Sequence, residues 1–188
     1  MNQMSRISAA SVPSFSARFT AAEFLRMCEI GAFEDWKVEL VDGELERRPP
    51  PGNEHSRRQM VVVARLLGVV PEALLRAEAG VDLGNNTVLG CDAAILHRPV
   101  EGAGNRMLRP DEVMATIEIS ESTRERDIGL KRRKYAAAGI AHYWVVDSEE
   151  GAVHVHSAPV ADDYAEVVTV RFGQPLPVPG TNATITLD

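Results

Sequence analysis

The chain has 188 residues, a formal net charge of -7 from 27 Asp and Glu against 20 Lys and Arg, 45% hydrophobic residues and 25% charged ones. That length suits one domain with a continuous core and excludes a multidomain machine, and the composition excludes disorder throughout. The acidic total also excludes a protein that coats nucleic acid over a broad basic surface, though not a small positive patch facing one cleft.

The two cysteines, Cys28 and Cys91, form no CxxC pair and indicate neither a disulfide framework nor a structural zinc cluster, so a reducing cytoplasm is the expected setting. No apolar run reaches the roughly 18 residues needed to cross a bilayer, and the first residues lack a secretory pattern; no membrane partner is expected. A Ser-rich start broken by Pro13 reads as a flexible tail over 1–18, with a single domain from 19 to 188.

Thr20 and Glu23 form a capping-box pattern that opens a helix with Phe24, Leu25, Met27 and Cys28 on its apolar stripe. Next, WKVELVDGELERRPPPG alternates around the turn dipeptide Asp42-Gly43 and stops at three prolines, which predicts a hairpin of Val38–Val41 and Glu44–Arg47. HSRRQMVVVARLLG places Met60, Val63, Ala64 and Leu67 at helical spacing before Gly68. Leu74 to Leu83 is partly strand-like, GNN marks a turn, and Val88 to His97 has the apolar run of an inner strand; VEGAGNRMLRPDE is a loop. Val113 to Ser120 is a second inner strand, followed by a helix over roughly 127–138. HYWVVD, AVHVHS and YAEVVTVRF are three more strands, and TNATITLD adds a candidate edge strand. The whole predicts an α/β or α+β domain with a mixed sheet and few helices.

Asp92 in CDAAIL and Glu118 in IEIS are charges embedded in apolar strands, where burial without a partner costs roughly several kcal/mol. On neighbouring strands they can share a cleft and hold Mg²⁺, which takes oxygen ligands; satisfaction by a backbone amide or an arginine explains them as well. Lys131 shares a helical face with Ile128, Tyr135 and Ala138, whereas Arg132 and Arg133 point elsewhere. It can reach back toward the carboxylates and stabilise phosphoryl charge, or snorkel with its head in water. RERDIGLKRRK carries a local +4, a candidate phosphate-facing patch or a solvated helix surface. Glu39 and Glu44 flank the hairpin turn, and either could approach Asp92. His55, at a helix start, is a candidate phosphate contact or proton carrier, or an exposed helix-end histidine. His154 and His156 share a strand face but lack a third ligand nearby, and Cys91 reads as a buried, inert thiol.

In this order, ELVDGEL, His55, CDAAIL, IEIS with SEST, DIGLKRRKYAAAGI and HYWVVD resemble the widespread bacterial restriction endonuclease-like family of the PD-(D/E)XK nuclease superfamily, over roughly residues 19 to 170. The resemblance implies a restriction endonuclease-like core, a central mixed sheet flanked by helices, with a divalent metal at one end. It assigns Asp92 to the Asp of the PD element and Glu118 to the acidic residue of the next strand. Glu44 is the preferred amino-terminal acid with Glu39 kept open, and Lys131 is the lysine of variants in which that residue has moved to the following helix. Two positions depart from the family pattern. Cys91 stands where Pro is usual, and Ser120-Glu121-Ser122 replaces a Ser-Pro-Ser turn, which puts an additional carboxylate near the phosphate path.

The resulting expectation is an endonuclease hydrolysing phosphodiester bonds, most simply in DNA, with Mg²⁺ or Mn²⁺ held by Asp92, Glu118, the Ile119 carbonyl and Glu44, and with Lys131 stabilising the attacked phosphate. Similarity also implies a homodimer. The competing expectations are a non-catalytic nuclease-fold binding or assembly module and, behind it, a small-molecule phosphate hydrolase.

Overall fold

A computed structural model describes residues 16–100, 106–121 and 124–188, so most of the tail expected over 1–18 and part of the loop after Val100 lie outside the described residues. Thr20 caps α1 (Ala21–Glu29): its hydroxyl accepts from the Glu23 N–H, and the Glu23 carboxylate accepts from the Thr20 N–H at 2.8 Å. Asp42 and Gly43 take φ of 50° and 85°, the pair of left-handed conformations that a two-residue hairpin turn requires, and join β1 (Lys37–Val41) to β2 (Glu44–Arg48).

The helix α2 (Asn53–Leu67) ends at Gly68 as expected, but its buried face differs from the one the spacing suggested. Val62 and Leu66 are fully buried and Arg58 is largely so, while Met60 is 68% exposed and Leu67 is exposed too. Three consecutive valines make two adjacent faces apolar, and the sheet takes the one centred on Val62.

The strands β3 (Leu75–Gly84), β4 (Thr87–Leu96), β5 (Val113–Ser120), β6 (His142–Asp147), β7 (Ala152–Val160) and β8 (Asp163–Arg171) complete a mixed eight-stranded sheet. Its order is β2-β1-β4-β5-β6-β7-β8, with β3 pairing β4. The pair β5–β6 is parallel, with Glu118 level with Val145 and Ser120 level with Asp147. Such a pair needs a crossover, here a helix that we call α3 (124–137), comprising an α-helical turn at Arg124–Arg126, a π-helical segment at Asp127–Lys131 and an α-helix at Arg132–Ala137. The expected TNATITLD strand shortens to β10 (Thr184–Ile185), which pairs with β9 (Leu176–Pro177) in a separate ribbon.

Alternation along β6 separates the two faces. Trp144 and Val146 join Val62, Leu66, Ile117, Ile119 and the C-terminal Ile185 and Leu187 on the α2 side. Tyr143 and Val145 pack with Tyr135 and Ala136 of α3 on the other. This is the expected central mixed sheet flanked by helices, a restriction endonuclease-like α/β core. No helix among the described residues is long and apolar enough to cross a membrane.

Behind α3, His156 lies buried between Tyr143 and Tyr164, with ring centroids at 5.7 and 5.8 Å, and neither ring nitrogen has a hydrogen-bond partner. Burial, aided by Arg132 and His154, pushes its pKa from 6.5 to about 4. A histidine depressed in the folded state contributes full stability above its unfolded pKa, and that stability is lost as pH falls below 6.5 toward about 4. The urea midpoint of the wild type is therefore expected to fall between about pH 7 and about pH 5, and His156→Phe to fall less. Equal losses in the two proteins would show that His156 does not act this way.

Candidate active site

One edge of β4 is shared by two strands. Near its start, Val88 pairs with Leu40 of β1, and from Ala93 to Leu96 the strand pairs with β5. Between these points β1 and β5 part, and the backbone groups of Gly90 and Asp92 on that edge have side chains for partners instead of a strand. The Gly90 N–H donates to Glu39 Oε1 at 2.9 Å, and the Gly90 carbonyl accepts from Lys131 Nζ at 2.7 Å and the Tyr135 hydroxyl at 3.3 Å. The Asp92 carbonyl accepts from Gln59 Nε2 of α2 at 2.8 Å.

The carboxylates of the fork are held by equally specific contacts. Asp92 Oδ2 accepts from the Ile119 N–H at 2.7 Å, replacing the next ladder bond of β5, and Oδ1 meets His55 Nε2 at 3.0 Å. A residue's N–H and C=O point to the same edge of a strand, so the Ile119 carbonyl faces the fork as well. Glu118 Oε2 lies 2.9 Å from Lys131 Nζ, and Oε1 accepts from the Tyr135 hydroxyl at 3.0 Å. Glu39 Oε1 lies 3.4 Å from Lys131 Nζ, and Oε2 lies 2.6 Å from the Arg126 guanidinium. The three N–H bonds of Lys131 thus face three acceptors, Gly90 O, Glu118 and Glu39, one from each of β4, β5 and β1.

Lys131 reaches this point because Asp127, Lys131 and Tyr135 recur every four residues on the buried face of α3. The π-helical segment widens the turn there: the Arg132 N–H reaches back to the Asp127 carbonyl, five residues earlier, a distortion frequent at functional sites. Burial pushes Glu118 well above the usual carboxylate range, with Lys131 pulling back and Asp92 and Asp127 adding to the rise. Burial opposes the Lys131 charge, but Glu118 and Glu39 outweigh it and hold the ammonium protonated. Burial likewise opposes the Glu39 carboxylate, and Lys131 with Arg126 lowers it below its ordinary value. The hydrogen bond to Asp92 raises His55.

Asp92, Glu118, Ile119 and Lys131 therefore meet at one cleft, with His55 beside them. Glu44 does not join them. It is exposed near the hairpin turn and pairs with Arg18 at 2.9 Å, while Glu39, on the same hairpin, points into the fork. Glu121 lines the cleft, and its buried Oε1 has no hydrogen-bond partner. Cys91 is buried, with desolvation and Glu118 raising its thiol pKa far out of the reactive range. The basic run is largely turned back on the chain: Arg124 pairs with Asp147 and Glu150, Arg126 with Glu39 and Glu46, Arg132 with Asp163, and Lys134 with Asp42.

Sequence reading gives no weight to Tyr135 as a hydroxyl donor or to Gln59, and it places Arg126 in the phosphate-facing patch, whereas the structure pairs it with Glu39 and Glu46. It also left His154 without a third ligand, yet the β6–β7 turn brings it to Asp147 and Glu150, their ligand atoms all within 4.8 Å of one another. This group can coordinate a divalent metal. Arg124 now bridges its two carboxylates, at 2.6 Å to each.

Comparison with known proteins agrees with this fold. A crystal structure of a protein from Anabaena variabilis ATCC 29413, described as "a putative nuclease belonging to DUF820", superposes with a TM-score of 0.62 over 86% of this chain and 89% of that one. At 23% identity the likeness shows a shared fold. No curated protein matches. The Uma2 family, described as "Putative restriction endonuclease", matches residues 21–188, nearly the whole described chain. The chain belongs to the Uma2 family, a restriction endonuclease-like, PD-(D/E)XK-type family of unknown substrate specificity.

Proposed function

We propose that the protein is a metal-dependent endonuclease that hydrolyses phosphodiester bonds in nucleic acid, with DNA as the favoured substrate. The observation behind this reading is the convergence of Glu39, Asp92, Glu118 and Lys131, from four separate elements, at the gap between β1 and β5. The donor set suits Mg²⁺ or Mn²⁺: it is all oxygen, it includes a backbone carbonyl, and beside it the buried Glu121 Oε1 lacks a partner. A divalent ion bound there would polarise a phosphoryl oxygen and lower the pKa of a water.

In this reading Asp92, Glu118 and the Ile119 carbonyl hold the ion. Asp92 is aimed by the Ile119 amide and His55, which fix both of its oxygens. Glu39, not Glu44, is the hairpin acid of the site, and it supports the ligands by keeping Lys131 in the gap. Lys131 can exchange one of its three acceptors for a phosphate oxygen and so stabilise charge that develops during attack. The cytoplasm is the proposed setting. A homodimer is the proposed assembly, for which the exposed Val160, Val167 and Val168 on the outer part of the sheet offer apolar surface.

The alternative, a nuclease-fold binding or assembly module, draws on one observation: the Lys131 cluster is closed by its own ion pairs. Cleavage assays on single-stranded, duplex and structured DNA and RNA with Mg²⁺ or Mn²⁺ separate the two. Glu118→Gln and Lys131→Ala are each expected to reduce cleavage by about a hundredfold or more, the scale of removing one preorganised charge contact. Thermal melts belong beside them, because breaking a buried pair costs about 3–5 kcal/mol of stability. Failure of the wild type to cut any of these, with no metal uptake in calorimetry, would refute the nuclease.

The same calorimetry distinguishes the two hairpin acids. Glu39→Gln is expected to weaken Mn²⁺ binding or cleavage by about tenfold or more, the effect of losing a supporting residue beside metal ligands, whereas Glu44→Gln should match the wild type. The reverse ranking would return Glu44 to the site.

A further inference from the structure

The metal-ligand candidates and Lys131 occupy one end of a continuous cleft of about 470 Å³. That volume falls in the range of small-ligand sites, about 300–1,000 Å³. At its other end the chemistry changes. Phe24, Phe33 and Trp36 line it from α1 and the segment after it, Pro50 from the stretch after β2, Val88 from β4 and Met107 from the segment before β5, with Glu34, Lys37 and Glu78 among them. Phe33 stacks on the buried Phe24, with ring centroids 5.7 Å apart and planes at 29°. Trp36 is 41% exposed, and the Arg47 guanidinium lies over its ring. The hydrolytic scheme uses nothing in this half of the cleft.

The charges around it limit what can bind. Seven carboxylates and three Lys or Arg side chains line the whole cleft, and most of the nearby basic run on α3 is paired with the chain's own carboxylates. Few cations remain to release counterions from a nucleic-acid backbone, the term that supplies most of the affinity for duplex. Aromatic and apolar walls supply a different term. Every base has a π-face, so a base that leaves its stack can gain affinity on Phe or Trp without sequence preference. A paired base must first be unstacked and unpaired, which an already single-stranded base avoids.

From this we infer that the aromatic end of the cleft receives an unpaired nucleobase beside the scissile phosphate, so that the substrate is single-stranded nucleic acid or an unpaired nucleotide within a duplex. This rests on the nuclease reading above and narrows its substrate. The base slides between the Phe33 and Trp36 side of the cleft and the Pro50 side, while its phosphate meets the carboxylate and lysine end.

The test uses the full chain with Mn²⁺ and one labelled DNA sequence in three forms: single strand, fully paired duplex, and duplex with one unpaired nucleotide. The single strand and the interrupted duplex are expected to be cut on the order of tenfold faster than the paired one, the scale of one base–aromatic contact. Binding to the single strand, followed by anisotropy with Ca²⁺ in place of Mn²⁺, is expected to weaken on the order of tenfold in Trp36→Ala and in Phe33→Leu. Phe33→Leu keeps apolar volume against Phe24 but removes the ring, Trp36→Ala alters an exposed position, and thermal melts of both beside the wild type identify any variant that has lost its fold. Mn²⁺ uptake should be unchanged in both. The dependence of binding on salt should be shallow, reflecting few phosphate contacts. Equal cutting of paired and unpaired DNA, or unchanged binding by both variants, overturns the base pocket and leaves the nuclease intact. Absence of cutting in every form overturns the nuclease and the pocket together.

Discussion

A buried ammonium sets the terms for the rest of this fold. Lys131 is almost wholly removed from water, and taking such a charge from solvent costs several kcal/mol, roughly, unless its donors are met with good geometry. The chain meets them with a carbonyl of β4, a carboxylate of β5 and a carboxylate of β1. These are the strands that meet at the fork, where β1 and β5 part along β4, so one side chain from α3 substitutes for the ladder that they do not form with β4 there. The crossover helix, its π-helical turn and the sheet opening are therefore solutions to a single problem. The Glu118 side chain stays in place because Tyr135 supports its second oxygen, one helical turn from the lysine.

That arrangement leaves negative charge in excess. Lys131, Arg126 and Arg48 answer Glu39 and part of Glu118, while Asp92 is met by an amide and an imidazole, and Glu121 presents a buried oxygen with no partner. A divalent ion would relieve this excess at lower cost than further lysines, because it offers two charges in the space of one small ion. The order of construction is informative: the lysine cluster closes the sheet by itself, and the remaining oxygens face the cleft.

Much of this was legible in the amino-acid sequence, and the failures have local causes. Asp92 and Glu118 stood out because a charge within an apolar strand demands a partner, and Lys131 because its helical face was apolar. The hairpin turn and the capping box followed from residue types that carry their own geometry. Glu39 and Glu44 could not be ranked that way, since both flank the turn and their burial depends on where β1 meets β4, a long-range contact. The buried face of α2 failed for a related reason: in a run of three valines, periodicity permits two faces and the sheet selects one. The cluster of Asp147, Glu150 and His154 joins residues across a strand pairing, which spacing in one strand cannot show.

Charge shows the difference most plainly. Read along the chain, RERDIGLKRRK is a local surplus of cations in an acidic protein, and a phosphate-facing patch is a natural inference. In three dimensions the same residues neutralise Glu39, Asp42 and Glu46 of the β1–β2 hairpin, Asp147 at the end of β6 and Asp163 at the start of β8, three separate places in the sequence. The surplus is thus a fastening for α3, and it holds that helix to the β1–β2 hairpin and to the ends of β6 and β8. A nucleic-acid ligand would then meet a cleft whose cations are already engaged, so its phosphate must be held chiefly by ions that the cleft recruits, and its remaining affinity must come from surfaces that recognise something other than charge.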